Sequence, residues 1–199
     1  MTRLWKVLLA ALLGLAFVGA ALPAAAQVTI PSVIKPHDPA KVAIAIAILD
    51  NLQTETIAAA AGRRNLLADP TIAAMPPADQ TLIGQLFIEE MDKRHAGMIA
   101  ALAADNVDRF SLDQLNDILT FSRIKYVQDL ALAAADPSLA TPDPAGMTAK
   151  DVKDFATLGN ASYTADFLGN FNFNAEAGFV SDAVGAAVTR FVAVKAGKG

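Results

Sequence analysis

The stretch from Phe110 to Leu132 (FSLDQLNDILTFSRIKYVQDLAL) constrains the fold most. Leu112, Leu115, Leu119, Ser122, Tyr126 and Leu130 recur every three or four residues, so a helix lines them along one face. Ile118, Phe121 and Ile124 widen that stripe, which calls for a helix packed on two sides. Ser111 and Gln114 at its start have capping-box spacing: the hydroxyl accepts an orphan backbone N–H and the amide reaches back. An apolar surface this wide needs partners. It commits the chain to helices that bury one another.

The amino terminus has a different character. Arg3 and Lys6 precede an almost wholly apolar run, Val7 to Leu22; Pro23 breaks it, and Ala24 to Ala26 supply small residues before Gln27. Those are the three parts of a secretory signal peptide, expected over residues 1–26, and the run is shorter than the roughly 20 residues of a membrane span. An uncleaved anchor helix is the competing reading. With no cysteine in the chain, neither a lipid-modified cysteine nor a disulfide is possible. Loss of residues 1–26 removes two positive charges and no negative ones, leaving 14 basic against 20 acidic residues, a net −6. That balance carries no footprint for nucleic acid or anionic lipid. Residues 27–199 suffice for one domain with a sizeable core and, on this reading, hold no membrane span.

Gln27 to His37 has two prolines and alternates Val and Ile with polar residues, an extended arm. Asp38-Pro39 then supplies an N-cap with proline at the first helical position. Val42, Ile44, Ile46 and Ile48 alternate like a strand, yet the cap and the continuation through Leu52 and Ile57 predict a helix buried nearly all round, ending at Gly62 and the Arg63-Arg64 pair. Asn65 to Pro77 reads as a connector. A second helix follows to about Ala104, with Ile83, Leu86, Phe87, Met91, His95, Met98, Ile99 and Leu102 as its stripe. The helix opened by Ser111 is third. Ala135 to Gly146, with three prolines, punctuates the chain; Thr148 and Asp151 then cap a fourth helix, which Gly159-Asn160 kinks. Gly169 to Asn174 reads as a turn and about Glu176 to Lys195 as the last helix. The expected fold is therefore all-α: one compact bundle of about five antiparallel helices over residues 38–199, after a cleaved leader and an arm at 27–37.

Residues 147–167 echo 110–130 at an offset of 37. Asp117 falls on Asp154, Thr120 on Thr157, Tyr126 on Tyr163 and Asp129 on Asp166, and the hydroxyls Ser111 and Thr148 align. Fixed-offset similarity is the sign of a duplicated unit, and chance likeness between two amphipathic helices is the alternative. Phe110-Ser111, Gln114-Leu115 and Phe121 resemble the start of the pattern of domain-of-unknown-function family 2059, exported bacterial proteins with a signal peptide and a compact helical domain. Ser122-Arg123-Ile124-Lys125 departs from that pattern, lacking its second aromatic, proline and glycine. The resemblance implies an all-helical periplasmic protein and supplies no catalytic residue.

Chemistry has few candidates. Cysteine catalysis is impossible, and G-x-S-x-G and P-loop patterns do not occur. Of the two histidines, His37 lies in the arm and His95 on an apolar stripe between Met91 and Met98, where a hydrogen-bonded interface role outweighs that of a catalytic base. Asp92 and His95 have a spacing that can converge on an ion, but a di-iron bundle needs a second carboxylate–histidine pair. The charges from Glu89 to Arg94 alternate in sign, as on a solvated face. No metal or cofactor is therefore expected. Phe171 and Phe173 can rim an apolar pocket or close a gap between helices.

The functional expectation is an exported, periplasmic, non-catalytic helical protein that binds a protein or envelope partner. A carrier of a small apolar ligand is the alternative, and a hydrolase using carboxylates such as Glu89 or Glu90 ranks third. The contacts available for a partner or apolar ligand are Phe87, Met91, His95, Met98, Phe171 and Phe173. The exported protein is expected to begin at Gln27 on N-terminal sequencing and to give a helical circular dichroism spectrum that a chelator leaves unchanged. A spectrum dominated by sheet, or melting on chelation, overturns this reading.

Overall fold

Asp38 opens the first helix through its side chain. The carboxylate accepts from the Ala40 N–H at 2.9 Å, and Pro39 takes the first helical position. The computed structural model describes residues 37–136, 138–169 and 173–197, and among them every regular element is helical and no strand occurs. The expected leader (1–26), nearly all of the arm (27–36) and Phe171 lie outside the described residues.

The described residues form nine α-helices where about five were expected. They are α1 (Pro39–Asn51), α2 (Thr54–Ala68), α3 (Pro70–Ala73), α4 (Pro77–Asn106), α5 (Leu112–Ser122), α6 (Lys125–Ala135), α7 (Ala149–Leu158), α8 (Ser162–Gly169) and α9 (Phe173–Lys195), with 3-10 turns at Val107–Arg109 and Pro144–Gly146. The higher count comes chiefly from breaks inside three expected helices. Gln53 adopts the left-handed conformation (φ 54°), and α1 and α2 diverge by 54°. Such a residue costs about 1 kcal/mol outside glycine. The Thr54 hydroxyl offsets part of this by donating to the Leu49 carbonyl at 3.0 Å, an acceptor the interrupted helix would leave open. Extended Ile124 separates α5 from α6. Gly159-Asn160, expected to kink one helix, ends it, and a new helix starts at Ser162.

The first two breaks match. α1 lies beside α5 and α2 beside α6, and at the corner Asn51 Nδ2 donates to Ser122 Oγ at 3.1 Å. Ser122 Oγ donates in turn to the Leu119 carbonyl at 2.9 Å, and the Gln128 amide donates to the Ser122 carbonyl at 3.0 Å. Two bent helical pairs therefore nest with their corners joined by side-chain hydrogen bonds.

The 30-residue α4 runs against α1, α2 and α9 and is the spine of the molecule. Its partner α9 is antiparallel: Lys195 pairs with Asp79 near the start of α4, Arg190 with Glu90 further along, and Phe179 lies over Gly97. The core is continuous, with Ile48, Leu49, Phe87, Met98, Leu115, Phe121 and Phe167 at most 1% exposed. Edge-to-face Phe110–Phe167 and stacked Phe121–Phe155 contacts bring α7 and α8 onto it.

Three finer expectations change. Leu112 is 40% exposed and belongs to the rim of its stripe. α2 continues past Arg63-Arg64 to Ala68, and Arg64 donates instead to the Ala135 carbonyl at the end of α6, a cation meeting another helix's unsatisfied acceptor. Within the supposed connector, Asp69 caps α3 by accepting from the Thr71 N–H at 2.8 Å.

The closest core approach is at Gly62, where a Cβ would stand 2.6 Å from Phe87 Cζ and 3.0 Å from Val180 Cγ1. Gly62→Ala is therefore expected to destabilise by about 1–3 kcal/mol through overpacking. At Gly185, where a Cβ meets nothing within 4 Å, Ala is expected to be neutral or to stabilise by up to about 1 kcal/mol. Urea midpoints of the two variants check the contrast.

Candidate functional site

The expected site residues separate into two groups. Phe87, Met91 and Met98 are 0%, 1% and 0% exposed, so no surface partner reaches them. His95 is different: its side chain is 38% exposed, where α4 passes the α1–α2 corner. The side chain of Phe173 lies outside the described residues.

His95 meets a carboxylate from each side of that corner. Its Nδ1 is 2.6 Å from Glu55 Oε2 of α2, and its Nε2 is 3.8 Å from Asp50 Oδ1 of α1. The Glu55 oxygen lies off the ring's N–H axis, so the contact is close without an aligned hydrogen bond, and becomes an ion pair when the ring is protonated. Burial raises the Glu55 carboxyl above its ordinary range; His95 opposes that rise, while Asp92 and Asp50 add to it. Among the described residues no Lys or Arg pairs with Asp50, Glu55 or Asp92. No group of three metal-ligating side chains converges among them either. The corner hydroxyls, Thr54 and Ser122, are 8% and 0% exposed and already engaged, Thr54 by the Leu49 carbonyl and Ser122 by Asn51 and Leu119. This cluster can take up and release a proton; it is not arranged for nucleophilic attack.

A second charged cluster lay hidden in what read as a solvated run. Glu90 is 5% exposed, and its carboxylate accepts from Lys93 at 2.5 Å, Arg94 at 2.7 Å and Arg190 at 2.9 Å. Those bonds, led by Lys93 and Arg94, hold the Glu90 carboxyl down at about 2 despite its burial. Arg190 also bonds Glu89 at 2.8 Å, so one guanidinium from α9 spans both acids of α4. Sequence offered only a local hint, cations at i+3 and i+4 from Glu90. A third polar contact joins the echo units: Tyr163 donates to Asp117 at 2.7 Å, which with burial raises the phenol's pKa.

Compared with known protein families, with curated proteins and with solved structures, the chain matches none.

A carboxyl lowered in the fold stabilises the fold above its unfolded value and loses that contribution as pH falls through the folded one. Glu90 therefore contributes fully above pH 4.5, the ordinary value, and progressively less down to about 2. Glu90→Gln is expected to cost about 2 kcal/mol at pH 7, for charge-assisted bonds partly open to water. The cost should shrink toward zero at the acid end of that window, as urea midpoints at pH 7, 4 and 2.5 would show.

Proposed function

We propose that this chain is an exported, periplasmic, non-catalytic helical protein of the family-2059 kind, which binds a protein or cell-envelope partner through the outward face of α9. The observation that carries this reading is the distribution of exposed apolar side chains. Of the six large exposed ones among the described residues, three (Val188, Val192 and Val194, at 38%, 59% and 44%) lie on the last turns of α9. Val188 and Val192 are one turn apart and share a face with exposed Gly185 and Ser181. On the opposite side Arg190 fixes α9 to α4, and Lys195 at the end of the helix pairs with Asp79, so this face is held in place. An apolar face kept rigid in water favours a protein or envelope contact.

Two features weigh against the other readings. A carrier needs side chains such as Phe87 to line a space, whereas the Phe87 ring crowds the position where a Gly62 Cβ would stand. A carboxylate hydrolase needs an acid near its working pH, whereas Glu90 is committed to three cations. By length and composition Ala177–Lys195 could also cross a membrane, with mean hydropathy 1.4 and 17% of the segment buried. Its pairing with Glu89, Glu90 and Asp79 favours a packed helix, because leaving α4 would strand those charges.

A photo-crosslinking residue at position 188 or 192, in cells making the full chain, is expected to give a discrete adduct in the envelope fraction. The same residue in place of exposed Asn116 or Lys153 is expected to give none. Equal labelling at all four positions removes the α9 assignment. A lipid extracted one-to-one with the purified protein moves the function to the carrier.

A further inference from the structure

The α1–α2 corner is chemically unusual. Gln53 holds the left-handed turn, and three carboxylates surround it without a lysine or arginine partner among the described residues: Asp50 on α1, Glu55 on α2 and Asp92 on α4. The nearby cations point elsewhere. Lys93 and Arg94 of α4 and Arg190 of α9 all bond Glu90. α5 brings Ser122 to the corner, followed by exposed Arg123; α6 brings Gln128, its Lys125 being paired with Asp129; and α9 places Phe179 against α4 at Gly97. Among the described residues, His95 is the one basic group that lies within 4.0 Å of Asp50 and Glu55.

A neutral imidazole has one N–H and one lone pair. Both ring nitrogens of His95 face carboxylate oxygens, Glu55 at 2.6 Å and Asp50 at 3.8 Å. In either neutral tautomer, one nitrogen therefore presents its lone pair to an anion. The imidazolium turns no lone pair toward either oxygen, and its positive charge attracts both.

We propose that His95 is a proton-controlled clasp between α4 and the two arms of the α1–α2 corner, closed when the imidazole is charged and loosened when it is neutral. Closing holds Asp50 and Glu55 to one ring and so fixes the angle between α1 and α2. That protects the corner's own bonds: Gln53 N–H to the Asp50 carbonyl, Leu52 N–H to Ile48, and Thr54 Oγ1 to Leu49. Loosening frees the turn while the core beneath stays packed. Burial raises the Glu55 carboxyl, and His95 is the neighbour that draws it back down. Protonation of the ring, with both carboxylates still charged, favours the closed corner, so its order rises as the imidazole takes up its proton.

An isotope-labelled full-length chain titrated from pH 8 to pH 5 tests this by nuclear magnetic resonance. Both His95 ring nitrogens are expected to become imidazolium-like in one step. In the same step the Leu52, Gln53 and Thr54 amides should shift, and their exchange protection, corrected for base catalysis, should rise about fivefold, the scale of a partly exposed ion pair. His95→Gln should abolish the step at those amides. His37→Gln should leave it, since His37 pairs with the distant Asp108. Should His95→Gln fail to fold, Asp50→Asn with Glu55→Gln retains the ring and should remove the rise in protection. Corner amides that ignore the His95 titration, or a step that survives in His95→Gln, overturn the clasp.

Discussion

Two helices that bend must bend at the same place if they are to stay in contact along both arms. That constraint governs the arrangement of the first half of this protein. α1–α2 turns by 54° about left-handed Gln53, and α5–α6 turns beside it at Ile124. Had only one pair bent, its second arm would have left the other's surface, exposing Ile57, Val127 and Leu130, all now at most 7% exposed. Each exposed aliphatic side chain of that size would forfeit about 1.5–3 kcal/mol of burial, far more than the turn costs. The corner is then finished by polar groups suited to open backbone acceptors: Thr54 on Leu49, Asn51 on Ser122 and Gln128 on the Ser122 carbonyl. Burial selects the bend. The hydrogen bonds make it specific.

The second half is organised by charge inside an apolar contact. α4 and α9 form a long antiparallel pair, and one carboxylate of that contact, Glu90, is out of water. A lone buried carboxylate would be ruinous, but three cations converge on it, two from its own helix and one from the partner. The local cations would satisfy Glu90 at any position of α9. Arg190 is what fixes the register, because it must reach Glu89 and Glu90 together. Lys195 on Asp79, lower on the pair, fits the same register. Small residues on α9 allow this approach, with Ala183 and Ala187 both at 0% exposure.

Sequence conveyed the grammar of this fold well and its corners poorly. The capping boxes at Ser111/Gln114 and Thr148/Asp151 and the Asp38-Pro39 start are fixed by local chemistry, and the structure contains all three. The all-helical class followed from periodicity in the same way. The breaks did not, because neither Gln53 nor Ile124 is a residue that ends helices. Gln53 is held left-handed and Ile124 extended by packing from elsewhere in the chain, which a local pattern does not encode. Glu90 was misread for a related reason. Alternating charges look the same whether one of them faces water or a neighbouring helix, and only Arg190, a hundred residues away, decides. His95 stood out because an imidazole on an apolar stripe is conspicuous, but Asp50 and Glu55 had no signal beyond being acidic.

The 37-residue echo shows how far local grammar goes. Ala149 follows Leu112 by 37 residues and Ser162 follows Lys125 by the same interval, so in both units the first helix and the second begin in step. Their fates still differ. Leu115 is fully buried beside α1, while Val152, its counterpart, is 52% exposed on α7. Val127 fills a dry position that Thr164 occupies in the second unit, 1% exposed and with its hydroxyl unbonded among the described residues. A like pattern of caps and periods thus yields a core helix in one copy and a half-covered one in the other, according to what docks on it. The same logic separates the exposed sides of α7 and α9. α7's uncovered side is broken by Lys150, Lys153 and Thr157, whereas the outer turns of α9 set Val188 and Val192 together in water. An isolated exposed valine needs no account; a pair one turn apart, on a helix whose reverse side is pinned by Arg190, is a continuous apolar strip held in water.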